Sequence, residues 1–328
     1  MKNNAKRFLC AALAATTAFS FAACSTEAAE SSFDSPLPWH VSDSSYEKLG
    51  YDVAIYNTQK SEAEGERVEI AKGTMIFTLE EGADQGYTKL DMSFAVTYLN
   101  VDEAGIDAGL TDTIESTVLF EPNSLAAKSM HKKVTLADRK DTKNLSYEID
   151  ADYFGTHKAT FKYFKQDGAE QKTHTLPNDT CRDNEMAFFL ARAQAISGES
   201  STNFKMVNLY DTFNSGKTTE YRMVVNGNSE RTMDLGEWVK DYGIEAVTDE
   251  SNGKTTYPVT CITTTIGIND EKHGPSYTVL YAKNAFKVGS TEHKKLPIKI
   301  TYGSYNGSNP YRLTSYTLTS CSFTKTAE

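Results

Sequence analysis

The sequence predicts a mainly β protein in which a large curved antiparallel sheet, a half-open β-barrel, wraps around one short central α-helix. Apolar residues alternate with polar ones over most of the chain, which is the period of a strand with one buried face. Short turns rich in Gly, Asp and Asn separate these runs, so neighbouring strands are expected to pair antiparallel. One segment near the middle has helical spacing instead.

The strands follow from this alternation, taken in chain order. The two clearest runs have every second residue on one apolar face: Leu90, Met92, Phe94, Val96 and Tyr98 in the first, and Leu145, Tyr147, Ile149, Ala151 and Tyr153 in the second. Further strands are predicted at residues 46–57, 68–80, 113–121, 157–166, 203–211, 217–226, 256–268, 276–287, 295–303 and 311–323. An abundance of Tyr and Phe, 18 and 16 residues, favours strands as well.

The central helix is predicted at residues 184–196. Its apolar positions recur at intervals of three and four, Asp183 or Asn184 can cap its start, and Gly198 follows its end. The inner face of the sheet is the large apolar surface against which this helix can pack. A weaker helical or irregular segment is predicted at residues 235–242. The central helix divides the predicted strands into two groups, so an arrangement of two lobes stays open.

The N-terminus predicts an exported, lipid-anchored protein. Residues 1–23 have the basic start and short apolar core of a signal peptide, and small residues directly precede Cys24, as in a bacterial lipobox. Phe21 departs from that pattern, and an ordinary signal peptide with an incidental Cys24 is the alternative. Residues 24–38 are expected to form a flexible tether after the lipidated cysteine, and 39–328 a single β-rich domain. The expected location is the cell envelope, on the outer face of the cytoplasmic membrane or on an outer membrane if the host has one.

Charge narrows the partners of this domain. The net charge is −10, and removal of Lys2, Lys6 and Arg7 with the signal leaves −13, which argues against nucleic acid and against a basic lipid-binding patch. The sequence does not identify a protein partner. Of the remaining cysteines, Cys181, Cys261 and Cys321, the pair Cys261–Cys321 is the first choice for any disulfide, and three separate thiols are the alternative.

Several short motifs resemble a known family in the same order along the chain. They are Tyr46 to Val53, Lys72 to Phe77, Phe120 to Leu125, Ala151 to Tyr153, Asp183 to Met186 and Leu296 to Ile300. Together they resemble the bacterial envelope proteins grouped as domain of unknown function 3108. The resemblance implies a curved antiparallel sheet around a helix, similar to the open barrels of periplasmic lipoprotein carriers. It implies no substrate, cofactor or catalytic residue.

Catalytic and metal-binding patterns are weak. Ser129 and Lys132 match the Ser-x-x-Lys spacing of acylating serine enzymes, but the stretch has strand character, which puts the two residues on opposite faces. Asp150 and Asp152 share one face, and solvated alternation explains them without any catalytic role. The histidines have no spacing typical of a metal site. The sequence therefore predicts a protein that is not an enzyme and has no cofactor.

The main functional hypothesis is an apolar concavity that binds or shields a lipid or another apolar molecule. Its predicted lining is Met75, Phe77, Met92, Phe94, Phe161, Tyr163 and Phe189. The alternative interpretation of these residues is a dry core packed against the helix. A different class of function, a surface scaffold or adhesion module, would use exposed loops such as Gly303 to Asn309.

Replacing the cysteine tests the predicted anchor. Cys24→Ser removes the thiol that would be acylated, and each buried acyl methylene contributes about 0.8 kcal/mol to membrane binding. We expect the variant to lose its acyl mass and to leave the membrane fraction, as measured by intact-mass spectrometry and fractionation. A variant that keeps the acyl mass or the membrane association would contradict the lipid anchor.

Overall fold

The fold is described from a computed structural model of the chain. The structure describes residues 44–58, 67–84, 86–99, 107–137, 146–165, 168–176, 182–194, 198–209, 219–268, 276–306 and 309–325. The predicted signal peptide, Cys24, the tether and Cys181 lie outside these ranges. Within them, no helix is long and apolar enough to cross a membrane.

Strands dominate the structure, as predicted. The first eight are β1 (Ser44–Thr58), β2 (Arg67–Asp84), β3 (Tyr87–Tyr98), β4 (Thr111–Phe120), β5 (Ala127–Thr135), β6 (Tyr147–Asp152), β7 (Lys158–Lys165) and β8 (Gly168–Thr175). The next are β9 (Ser200–Met206), β10 (Thr219–Asp234), β11 (Val247–Thr248), β12 (Thr255–Thr256) and β13 (Pro258–Ile268). The last are β14 (Ser276–Ala282), β15 (Phe286–Val288), β16 (Thr291–His293), β17 (Pro297–Asn306) and β18 (Asn309–Lys325).

One antiparallel sheet of 14 strands contains most of them, in the order β8-β7-β6-β5-β4-β3-β2-β1-β18-β17-β14-β13-β10-β9. Strands β1 to β8 are sequential neighbours, and β1 also pairs with β18, the last described strand. Strands from both sides of the central helix therefore belong to one continuous sheet. The predicted fold class is confirmed: within the described ranges the sheet is antiparallel, its outermost strands β8 and β9 do not pair with each other, and the short helix α1 packs against it.

The central helical segment connects the two outermost strands, β8 and β9. It consists of a 3-10 turn, Asn184–Met186, followed by helix α1, Ala187–Arg192. The rings of Phe77 on β2 and Phe189 lie 5.3 Å apart, while Phe188 lies 5.0 Å from Tyr277 on β14. Because the helix contacts both halves of the sheet, the sheet must curve around it.

The helix ends earlier than the sequence predicts, at Arg192 instead of residue 196. Lys295 explains this end, since its Nζ donates to the carbonyl oxygens of Arg192 at 3.0 Å and of Gln194 at 2.7 Å. A lysine ammonium that satisfies the last carbonyls is a favourable helix terminus.

A buried ion pair fixes α1 against β1. Arg192 donates to both carboxylate oxygens of Glu47, at 2.6 and 3.2 Å, and to the Lys294 carbonyl at 3.2 Å. The side chains are only 1% and 8% exposed. Sequence periodicity did not single out either residue.

Other departures from the predicted elements have local reasons. The predicted strand 276–287 is interrupted after Ala282 and resumes as β15. Strand β10 continues past a bulge between Asn226 and Glu230 to Asp234, well beyond its predicted end. Strand β8 was not predicted, because it is an edge strand with mostly exposed polar side chains and lacks the alternation of a buried face. The weaker piece at 235–242 is a 3-10 helix, Glu237–Tyr242.

Two cysteines fall within the described part of the chain. Cys261 on β13 and Cys321 on β18 are both buried free thiols, so the disulfide chosen first from the sequence is not formed. Burial raises the pKa of each thiol to about 12, which keeps both groups protonated and unreactive.

Breaking the Arg192–Glu47 pair tests the seating of the helix. Arg192→Met leaves the Glu47 carboxylate buried without its guanidinium, and loss of one partner of such a pair costs about 3–5 kcal/mol. We expect urea unfolding of the full chain, followed by tryptophan fluorescence, to report a loss of this size.

The matched control is Lys283→Met. Lys283 lies 2.7 Å from Glu230, but these side chains are 56% and 44% exposed, so the loss should be under about 1 kcal/mol. Equal losses for the two variants would contradict a structural role for the buried pair.

Candidate functional site

A cavity remains between the start of the helical segment and the concave face of the sheet. It has a volume of about 120 Å³. Its lining comes from strands in both halves of the sheet, from the 3-10 turn and α1, and from the segment after β9. The described lining residues are Met75, Phe77, Met92, Phe94, Ile114, Met130, Lys132, Tyr147, Ile149, Asp183, Asn184, Glu185, Ala187, Phe188, Asn208, Leu209, Tyr277 and Tyr316.

The shape of the helical segment explains the space. Helix α1 has only 6 residues, and the first of them, Ala187, has a side chain of one carbon. A short helix cannot fill a concavity formed by so many strands, so space remains beside its N-terminal end. Towards its C-terminal end, Phe189 and Leu190 are buried, and there the apolar interior is filled.

Four of the seven residues predicted from the sequence line this cavity: Met75, Phe77, Met92 and Phe94. The other three are not among its described lining. Phe161 is fully buried and stacks on Tyr163 with ring centres 6.4 Å apart, and Phe189 is buried against Phe77. For Phe161 and Phe189 the structure shows packed core contacts.

A charged group forms the polar part of the lining. Lys132 Nζ on β5 lies 2.6 Å from Glu185 Oε1 of the 3-10 turn, and both side chains are 12% exposed. The hydroxyl of Ser116 donates to the other Glu185 oxygen at 3.3 Å. Burial alone would lower the pKa of the Lys132 ammonium, but the Glu185 carboxylate outweighs burial and raises it.

Asp183 is the second carboxylate of the site. Its Oδ2 accepts from the Tyr153 hydroxyl at 2.5 Å, and its Oδ1 accepts from the Glu185 backbone N–H at 2.8 Å. Burial and, after it, the nearby Glu185 charge raise the pKa of Asp183 to about 7, although these hydrogen bonds and Lys132 act to lower it. Asp183 can therefore change charge near neutral pH.

Sequence analysis did not identify these three charged residues as a group. Lys132 was considered only with Ser129, and β5 does place the two on opposite faces, with Lys132 towards the interior. The sequence suggests Asp183 as a helix cap, a role it has at the 3-10 turn, and places it in one of the family-like motifs. The sequence signal that could have revealed the cluster is Lys132, a charged residue at an inward-facing position of a strand.

The acidic pair on β6 lies on the outer face. Asp150 contacts His131 at 2.7 Å, and both side chains are more than half exposed. Asp152 accepts from the backbone N–H groups of residues 154–156, and these bonds, led by those from Gly155 and Thr156, lower its pKa. Asp152 thus caps a turn. Among the described residues, no group of three or more His, Cys, Asp and Glu is arranged to hold a metal ion.

Comparisons with known proteins give one structural likeness. No family model and no curated protein matches the chain, and the resemblance to family 3108 stays a prediction. A similar solved structure is that of a β-barrel-like protein of domain of unknown function DUF1849 from Brucella abortus. The two chains are 12% identical, the match covers 86% of this chain and 99% of that one, and the TM-score is 0.48. This likeness concerns architecture and carries nothing about function.

The raised pKa of Asp183 predicts a pH-dependent stability. Between about pH 4 and about pH 7 the folded state keeps a proton on Asp183 that the unfolded chain has lost. Stability therefore falls as pH rises through this range, by up to about 1.4 kcal/mol per pH unit from this group.

Asp183→Asn removes this dependence. We expect urea unfolding of the variant to lose less stability than the wild type over the same pH range. Asp150→Asn, an exposed acid on the outer face, is the control and should keep the wild-type slope. Parallel slopes for wild type and Asp183→Asn would show that Asp183 does not titrate near neutral pH.

Proposed function

We propose that this protein is a lipid-anchored envelope protein that binds the apolar part of a small ligand in the cavity beside α1. The observation that carries the proposal is the lining, in which apolar side chains from both halves of the sheet surround the space and three charged residues converge on it. Concave and mostly apolar sites with a few converging polar groups are typical of small-molecule binding.

The volume limits what the cavity can bury. At about 120 Å³ it is smaller than the roughly 300–1,000 Å³ of sites for drug-sized ligands. It is close to the volume, about 150 Å³, of an apolar cavity known to accept benzene. One ring or a short alkyl group fits this space, and a complete acyl chain does not. Met92, Phe188 and Tyr277 are only partly buried, so the rest of a larger ligand can extend towards solvent.

The anchor follows from the lipobox-like sequence at Cys24. A tether over residues 24–38 keeps the β domain near the membrane surface, where apolar and amphipathic molecules are concentrated. Under this proposal the protein does no chemistry on its ligand, and its role is to hold it or shield it.

A surface scaffold is the second candidate, and one observation favours it. Phe154 is 73% exposed in a turn whose backbone N–H groups are held by Asp152. A large apolar side chain on a hydrogen-bonded turn is suited to a contact with another molecule. The loop considered from the sequence is a weaker candidate, because residues 303–306 belong to β17 and Asn309 begins β18.

Filling the cavity tests the binding proposal. We expect the full chain in phospholipid nanodiscs to bind a neutral single-ring probe, benzyl alcohol, measured by titration calorimetry against empty nanodiscs. Phe94→Trp and Ala187→Leu place extra atoms in the cavity and should each weaken binding by about tenfold or more, a change of about 1.4 kcal/mol. Filling empty apolar space should leave the melting temperature unchanged or higher.

Phe164→Trp is the matched control. Phe164 lies on the outer side of β7, under the Lys162 ammonium at 5.0 Å, so the same added atoms do not enter the cavity. The proposal fails if neither benzyl alcohol nor a charged single-ring probe of the same size binds, or if Phe94→Trp and Ala187→Leu bind benzyl alcohol like the wild type. In that case, if Phe154→Ala no longer bound a partner molecule that the wild type binds, the scaffold function would be favoured.

A further inference from the structure

We propose that the cavity selects a small organic cation, an amine that carries one ring or a short alkyl group. The inference rests on the proposed function and names its ligand class. Two features of the lining carry it: an excess of carboxylate over ammonium, and aromatic rings on several sides of the space.

The charges of the lining are unequal. Its described charged residues are Lys132, Asp183 and Glu185, which is one cation against two carboxylates. Lys132 and Glu185 already satisfy each other at 2.6 Å. The hydrogen-bond partners of Asp183 are a hydroxyl and a backbone N–H, which are neutral groups. Once Asp183 ionises, the site has one negative charge in excess, and a ligand ammonium can balance it.

An anionic ligand is disfavoured for the same reason. A carboxylate that approaches Lys132 would have to compete with Glu185, and it would also be repelled by Asp183. Separation of a short, mostly buried ion pair is costly, since each charge loses its partner in a poorly solvated site. A fatty acid is therefore a poor match to this lining.

Aromatic rings complete the recognition of a cation. Phe77, Phe94, Tyr147, Phe188, Tyr277 and Tyr316 line the cavity, from strands β2, β3, β6, β14 and β18 and from α1. Phe188 and Tyr277 meet edge to face with ring centres 5.0 Å apart. Ring faces are negative, so they attract an ammonium and repel an anion.

The pH dependence of binding follows from the same groups. Asp183 is faced by Glu185 from its own turn, by Lys132 on β5 and by the Tyr153 hydroxyl that follows β6. Protonation of Asp183 below about pH 7 removes the excess charge, so amine affinity should fall on acidification, whereas a neutral ligand should be unaffected.

Three ring probes of the same size test the inference with the full chain in nanodiscs. At about pH 8 we expect benzylamine to bind at least about tenfold more tightly than benzyl alcohol, and benzoate to bind most weakly. Between about pH 8 and about pH 6, benzylamine affinity should fall by up to about tenfold while that of benzyl alcohol stays constant. This comparison uses the wild-type protein, so it does not depend on the folding of a variant.

Asp183→Asn should abolish the preference, so that the ratio of benzylamine to benzyl alcohol affinity falls to about one. Asp150→Asn, on the outer face of the sheet, is the matched control and should behave like the wild type. Equal binding of the three probes, or a preference for benzoate, would overturn the cation inference while the proposed binding function stands. Failure of all three probes to bind would overturn both.

Discussion

A buried charge pair determines where this protein has empty space. Arg192 is the last residue of α1, and its guanidinium binds both oxygens of Glu47 on β1, a strand in the interior of the sheet. Burying these two charges has a large desolvation cost in free energy. The bidentate contact between Arg192 and Glu47 and the further hydrogen bond to the Lys294 carbonyl offset it. The pair fixes the C-terminal end of the helix against β1. The short helix then leaves the opposite end, around Ala187, unfilled.

The polar side of the cavity depends on the same placement. The 3-10 turn that precedes α1 carries Glu185 to within 2.6 Å of Lys132, and Asp183 to the Tyr153 hydroxyl. These contacts join the helical segment to β5 and to the end of β6, in the half of the sheet that does not contain β18. Arg192 and Glu185 thus hold the segment at its two ends with buried charges. The cavity lies beside the N-terminal end of a segment that is held at both ends, which favours a preformed site.

Much of the fold could be predicted from the sequence, because period-two alternation reports which side chains face inward. It placed Phe77 and Phe94 on the concave face, where they lie. Alternation does not report how far along a curved sheet the helix sits. For this reason Phe161 was assigned to the cavity although it packs in the filled interior. The cluster of Lys132 and Glu185 joins residues 53 positions apart through the crossing of the helical segment, and no local pattern encodes that contact.

Pairing of β1 with β18 has a consequence for how the chain acquires its structure. Ser44 lies opposite Lys325, so the ladder that unites the two halves joins the first and last described strands, which are far apart in sequence. Contacts of such wide sequence separation give a high contact order, which slows folding because loop closure must precede the gain from pairing. Until the last strand arrives, one edge of β1 is open to mispairing. Truncation before β18 should therefore impair the whole barrel-like body, including its N-terminal half.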